Sequence, residues 1–418
     1  MINLLKNKRI IRLLGLSLIL VGIFANPTTL TALLSTDGLL DPRSVVIIWV
    51  FDLLMIVSGL ILMIAGTLAR LIDLAVGLII TIAMIYGAER LFHRLNNPPP
   101  NPNAVAGPPP PAVIHEGDYA ADFFRDEPLL GYRPKPNVQV TSIKKLGDEL
   151  VYDVVYTIDD SQRRHTPVDT PTGRDQFALF FGGSFVFGEG VNDDETLPYY
   201  FGALATDYQP YNYGLSGYGP QQMLAKLQSN ELEAELAQPN GMIIYTFIDA
   251  HVERAIGSMY VYNAWGDQMP YYTTDWSGNL IRQRDFRTGR PATSKMFEWL
   301  EQSEIARYYN INVPNVLQDR HYAHAVRIIA AARDTFQEKY DSNQFYVMIY
   351  PDEGDYFEDM EAHLMAADLQ LLNYDERMKL DKEAGLAIKG DGHPTAQAHE
   401  IVAQWLVEDL ELGASNTP

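Results

Sequence analysis

The chain has 418 residues, no cysteine and a formal net charge of −21. The first 98 residues hold 8 Lys and Arg against 5 Asp and Glu, so the remainder carries the whole acidity, −24. Such a body repels nucleic acid and anionic lipid headgroups, which removes both as its ligands. Missing cysteines exclude disulfides, thiolate catalysis and cysteine-based metal sites. With 11% aromatic residues and long apolar runs, disorder does not explain the acidity.

Three apolar segments come first. Leu13–Ala25, extended by the milder run to residue 34, is followed by Val45–Ala65 and Leu71–Gly87. A helix needs about 20 apolar residues to cross a bilayer, so the expectation is about three transmembrane helices over 13–34, 45–65 and 71–87. Lys6, Lys8, Arg9 and Arg12 hold the start of the first span in the cytoplasm by the positive-inside rule. Three crossings then place the body on the extracytoplasmic side. A cleaved signal peptide ending near Ala25 is the rival reading of the first segment, and it leaves the body on the same side. Asp52 lies deep in the second span and is a functional candidate, whereas Asp73 lies near the start of the third.

The stretch "NNPPPNPNAVAGPPPP" closes this region with eight prolines and no charge. It reads as a polyproline II spacer of about 40 Å. The expected organisation is therefore a membrane region at 1–96, a linker at 97–112 and a catalytic domain at 113–418. Within that domain, apolar–polar alternation on both sides of Leu146-Gly147-Asp148 predicts a β-hairpin. "QFALFF", "GMIIYTFI" and "QFYVMIY" are continuous apolar runs, as in strands buried on both faces. Helical patterns at Gln221–Leu236, His321–Tyr340 and Ala396–Leu410 alternate with them. The last carries Ile401, Val402, Trp405, Leu406 and Leu410 as one stripe. The fold class is α/β with a mainly parallel sheet, whose ligands bind beyond the carboxyl ends of the strands.

Three stretches at such places carry chemistry. In "FALFFGGSFVFGEGV", Ser184 follows a buried strand and a Gly-Gly pair that permits close backbone approach. On this stretch alone, an ordinary turn competes with a nucleophile. "YNYGLSGYGPQQM" is a glycine-rich strand-to-helix loop whose N–H groups suit an oxyanion. "KGDGHPTAQAHEIVAQWL" places Asp391 and His393 before a helix capped by Thr395. A serine needs a base to take its proton, and a base works best when a third group orients it. The bland reading of this pair is a turn with an exposed histidine. His399 reads as a helix-surface residue, and His93, His115 and His165 have no chemical context.

Together the three stretches resemble the SGNH/GDSL hydrolase superfamily, from about Ala178 to Leu406. The resemblance implies an SGNH-like three-layer domain with Ser184 as nucleophile, His393 as base and Asp391 as its orienting acid. It also implies an oxyanion hole from the N–H groups of Ser184 and Gly217. Three positions depart from the family pattern. Gly183 stands where the first block has Asp, and Asp391 precedes His393 by two residues instead of three. The third-block Asn is missing, and Asp249 in "YTFIDAHVERA" takes about its place as a candidate oxyanion donor if neutral.

Between 252 and 340 lies a long insertion rich in Tyr, Trp, Asn and Asp, read as a hairpin turning at Ser277-Gly278-Asn279 and, as a whole, a lid. Aromatic faces beside amides and carboxylates also suit sugar rings. The acidic run Asn192–Glu195 reads as a solvated loop and helix start, not a metal site. The expected function is a membrane-anchored esterase acting on acyl esters, with O-acyl groups of envelope carbohydrate as substrate. It calls for no metal ion and no organic cofactor. An O-acyltransferase using the same site, or a non-catalytic glycan-binding or scaffold protein, is the alternative.

Overall fold

The computed structural model describes residues 8–27, 29, 42–64, 67–97, 111–119, 123–169 and 173–412. The proline-rich stretch at 98–110 and the side chain of Asp73 lie outside them. The chain forms two units, Met1–Val105 with Met296–Val316, and Ala106–Lys295 with Leu317–Pro418.

The first unit contains helices α1 (Lys8–Phe24), α2 (Pro42–Ile64) and α3 (Thr67–Asn96). Among the described residues one helix, Val76–Asn96, is long and apolar enough to cross a membrane. Arg12–Phe24 and Ile48–Met63 are shorter apolar helices. Helices α1 and α2 pack closely because glycines face each other. A Cβ on Gly59 would lie 2.5 Å from the carbonyl oxygen of Gly15. Asp52 is buried in α2, and neither carboxylate oxygen has a partner among the described residues.

The end of α3 is covered by part of the long insertion. Glu89 accepts from Ser303 Oγ and from the backbone N–H of Glu304, both at 2.7 Å. Asn96 Nδ2 donates to the Glu304 carboxylate at 2.7 Å, and Phe92 packs its ring against Tyr308 at 4.9 Å. The insertion is therefore divided between the two units. His93, read as lacking context, lies 2.9 Å from the Glu304 carboxylate.

The second unit is built on a five-stranded parallel sheet. Its strands, in chain order, are β6 (Gln176–Phe181), β7 (Tyr208–Asn212), β8 (Asn240–Phe247), β11 (Phe345–Ile349) and β12 (Gln370–Asn373). They lie side by side as β12-β11-β8-β6-β7. The run "QFALFF" explains the middle of the sheet, because a strand alternates its side chains between faces. Phe177, Leu179 and Phe181 join Met223, Leu224 and Leu227 of α6 (Pro220–Gln228) and Ile328, Ile329 and Phe336 of α8 (Asp319–Tyr340). Ala178 and Phe180 join Leu197 and Phe201 of α5 (Leu197–Leu204) and Val402, Ala403 and Leu406 of α9 (Ala396–Asp409) on the other face. The result is three layers.

Strand β7 lies on one side of β6 and β8 on the other, so the chain leaves β6 in one direction and the connection from β7 to β8 crosses back over it. Such a switch point opens a crevice at the strands' carboxyl ends. Ser184 sits at the end of β6, in the single turn α4 (Ser184–Phe187), and α7 (Ala250–Ile256) follows β8.

The remaining strands are antiparallel. Before the parallel sheet come β1 (Val113–Glu116), β2 (Phe124–Glu127), β3 (Gly131–Pro134), β4 (Val138–Leu146) and β5 (Glu149–Ile158). Strands β4 and β5 form the predicted hairpin, with Gly147 at a φ of 59° in its turn. Their register shifts between Lys144 and Lys145, and a bulge of this kind re-aims side chains. Hairpin β9–β10 (Pro270–Thr274, Leu280–Asp285) turns at Ser277-Gly278-Asn279, where the Asp275 carboxylate accepts from the N–H groups of Ser277 and Asn279.

His399 is fully buried, against the expectation of a surface position. It lies one turn before Val402 and Ala403, on the side of α9 that packs against the sheet. Arg164 is also fully buried. It pairs with Asp193 at 2.9 Å and donates to the carbonyls of Phe187, Gly188 and Val191. The acidic run Asn192–Glu195 is thus more than a solvated loop, since Asp193 holds this guanidinium.

Replacing Arg164 by Met leaves Asp193 and three carbonyls without their donor. Chemical denaturation is expected to show a loss of about 3–5 kcal/mol. A second expectation concerns the first unit. If an introduced protease site at 98–110 is cut in detergent, the two fragments should elute together. Adding Phe92→Ala and Glu304→Ala should separate them on the same column.

Candidate active site

Ser184, His393 and Asp391 come together from distant parts of the chain. Ser184 Oγ lies 2.8 Å from His393 Nε2, and His393 Nδ1 makes a short bond to Asp391 Oδ1. The same oxygen accepts the backbone N–H of His393 at 3.0 Å. This local loop is how a spacing of two residues reaches a workable geometry. Gly392 between them has a φ of 103°, a conformation open to glycine, and the turn is closed by Ile388 N–H donating to the His393 carbonyl at 2.8 Å. Phe185 braces the imidazole edge-on at 5.5 Å.

Two further charged groups bear on the imidazole. Lys144, aimed by the β4 bulge, places its ammonium 2.6 Å from Asp391 Oδ2. Glu189, in the turn after α4, brings a carboxylate oxygen to 3.9 Å from His393 Nε2. Burial alone would raise the Asp391 pKa, but hydrogen bonds from His393 and Lys144 outweigh it and hold the carboxyl well below its usual range. Burial would likewise lower the His393 pKa, yet the bond to Asp391 and the charge of Glu189 raise it on balance. The imidazolium is thereby favoured while Asp391 stays ionised.

The loop carrying Gly217 is held in place from several sides. Gly217 has a φ of 84°, and a Cβ there would lie 2.6 Å from Trp265 Nε1. Tyr132 OH donates to the Ser216 carbonyl at 2.6 Å, and Trp265 Nε1 donates to the Gly217 carbonyl at 3.3 Å. Ser216 Oγ donates to Glu189 at 2.5 Å, which links the candidate oxyanion loop to the carboxylate beside His393. Asn212 steadies the start of the loop, accepting from Gly214 N–H at 3.0 Å and donating to the Val186 carbonyl at 2.9 Å.

Asp249 is not brought to this group. Its carboxylate accepts from the backbone N–H of Tyr356 at 3.3 Å, in the turn beyond β11. Burial, with Asp355 and Asp375 nearby, pushes its pKa up to about 6. No hydrogen bond joins it to Ser184 or Gly217 among the described residues. The space behind Gly183 is taken by His251 and Arg254 of α7. His251 is fully buried, with Nδ1 2.7 Å from Tyr245 OH. Burial and then the neighbouring guanidinium keep it neutral. It has no contact with Ser184 that would make it the base.

Sequence reasoning missed Lys144, Glu189 and Arg254. Glu189 lies inside "FGEGV", two residues beyond the end of the helical turn that begins at Ser184, and that proximity is its only signal. Lys144 belonged to a hairpin read for its alternation alone.

No protein-family model matches the chain, and no curated protein matches it. Solved structures do. The chain is similar to a member of the lipolytic protein G-D-S-L family from Veillonella parvula DSM 2008, with 11% identity and a TM-score of 0.32, over 56% of this chain and 97% of that one. It is also similar to an acetyl xylan esterase (Est2A) from the rumen bacterium Butyrivibrio proteoclasticus, with 10% identity and a TM-score of 0.34, over 59% of this chain and 67% of that one. Likeness at this level of identity and TM-score leaves the chemistry of the site to the chain's own residues.

Proposed function

We propose that the chain is a membrane-anchored serine hydrolase acting on acyl esters, with its body on the extracytoplasmic side. The observation that carries this reading is the relay from Ser184 Oγ through His393 to Asp391 at the carboxyl end of a central parallel strand. Ser184 Oγ adds to the ester carbonyl carbon, and its proton passes to His393 Nε2. Asp391 holds the ring through Nδ1 and stabilises the imidazolium, helped by Glu189. The oxyanion is met by the N–H groups of Ser184 and Gly217. Collapse expels the alcohol with the proton from His393 and leaves an acyl-enzyme on Ser184. Water then repeats the sequence and frees the acid.

Carbohydrate O-acyl esters are the preferred substrate class within this reading. Trp265, bonded to the Gly217 carbonyl, packs edge-on against the exposed Tyr260 at 5.8 Å. Aromatic surface therefore borders the oxyanion loop, where the apolar face of a sugar can rest. Support for the outward placement comes from the sequence: three apolar segments read as crossings, the basic charge before the first of them and the uncharged linker.

Labelling with a fluorophosphonate tests the nucleophile. Ser184→Ala is expected to abolish labelling and His393→Ala to slow it by about a hundredfold or more. Normal labelling of either variant by intact-mass analysis removes the assignment.

The pH profile tests the electrostatics. The base must be neutral to accept a proton, so the acid limb of kcat/KM follows the raised His393 pKa and lies above the ordinary imidazole value. Glu189→Gln removes a charge that raises that pKa and should move the limb to lower pH. Lys144→Met removes a charge that lowers it and should move the limb to higher pH. Shifts of one sign for both variants contradict this assignment.

A further inference from the structure

Arg254 is a buried cation with no ion-pair partner among the described residues, and its Nε has no hydrogen-bond acceptor. The only hydrogen bond from its guanidinium among them runs from Nη1 to the Tyr218 carbonyl at 2.8 Å. Tyr218 is the residue after Gly217. The same Nη1 fills the space behind Gly183, the residue before Ser184, since a Cβ there would lie only 2.6 Å from it. One guanidinium thus touches the chain neighbour of each candidate oxyanion donor.

An isolated buried charge is costly, by several kcal/mol in typical proteins. Packing does not require one here, because a long apolar side chain would fill the same volume. The neighbouring imidazole of His251 is neutral and offers no compensation. The carboxylates that act on Arg254, Glu353 and Glu189, do so only at longer range. Guanidinium groups stay charged even when buried, so the site keeps a fixed positive charge.

We propose that Arg254 is a positioning residue for the oxyanion hole, taking over by its field and its hold on the Tyr218 carbonyl what a third donor would supply. The inference rests on the reading of Ser184 as nucleophile. As the Oγ–carbon bond forms, the carbonyl π pair moves onto oxygen and the Oγ proton goes to His393 Nε2. Negative charge therefore grows between the N–H groups of Ser184 and Gly217. A cation fixed one residue from each, in a dry interior, lowers that state more than it lowers the neutral ester. A carboxylate paired with Arg254 would cancel the effect, which gives its solitude a purpose.

The test uses the whole chain in detergent, p-nitrophenyl acetate as substrate, fluorophosphonate labelling of Ser184 and thermal unfolding. Arg254→Met is expected to lower kcat by about tenfold or more with KM unchanged within about twofold. Its unfolding midpoint should hold or rise, because a buried unpaired charge has gone. Arg254→Lys keeps the charge and should retain more turnover than the Met variant. Unchanged kcat in Arg254→Met overturns the inference. So does a fall in unfolding midpoint together with kcat, with Lys no better than Met, since that pattern belongs to a packing role. A folded parent chain that neither hydrolyses the ester nor labels at Ser184 defeats the esterase reading itself, and the inference falls with it. An active, labelled parent with indifferent Arg254 variants defeats the inference alone.

Discussion

The guanidinium of Arg164 fixes the segment that follows Ser184, and much of the site depends on that segment. A fully buried arginine is stable only when its donors are used, and here Asp193 and three carbonyls use them. Its plane also lies over the ring of Tyr156, whose hydroxyl accepts from the Gly190 N–H at 2.9 Å. The turn from Phe187 to Val191 is therefore pinned from inside. Glu189 is in that turn, so its distance from His393 and its bond to Ser216 follow from Arg164. The position of Glu189 is thus set by a residue that precedes Ser184 in the chain by twenty positions.

The antiparallel hairpin plays a comparable part from the opposite side. Lys144 comes from β4, outside the parallel sheet, and completes the acceptor capacity of Asp391. His393 consequently sits between a carboxylate near one ring nitrogen and, through Asp391, an ammonium beyond the other. Opposed charges of this kind let the basicity of the imidazole be set by balance instead of by one dominant partner. The strands before residue 160 thereby contribute a side chain to the candidate site.

Much of this was legible in the sequence for identifiable reasons. "QFALFF" could be read as a doubly buried strand because alternation within a fully apolar run leaves nowhere polar to face. Ser184, Asp391 and His393 were legible because each stands where a strand or loop hands over to a helix, in an order a relay can use. His399 was misread because its neighbours on the stripe were judged by hydropathy, and an imidazole with a tyrosine hydroxyl nearby can be buried at modest cost. Lys144 was illegible because its direction comes from a bulge, which depends on two strands at once. Arg254 was illegible because only the folded switch point shows that the space behind Gly183 belongs to it. Asp249 was placed by alignment of position, and backbone geometry turned its carboxylate toward another loop.

The first unit is assembled from chain segments far apart, because Glu89, Phe92 and Asn96 meet Ser303, Glu304 and Tyr308. During synthesis the end of α3 emerges long before its covering segment does. Until Met296–Val316 is made and released, that helix end keeps an uncovered phenylalanine and an unsatisfied carboxylate. The parallel sheet's first three strands will all have been made by then, as domains fold in the order they are made. Docking onto the helix is therefore a late, long-range event in the history of each molecule. A ribosome that stalls after β8 would leave a chain whose strand before Ser184 is complete but whose helix end still waits for its cover.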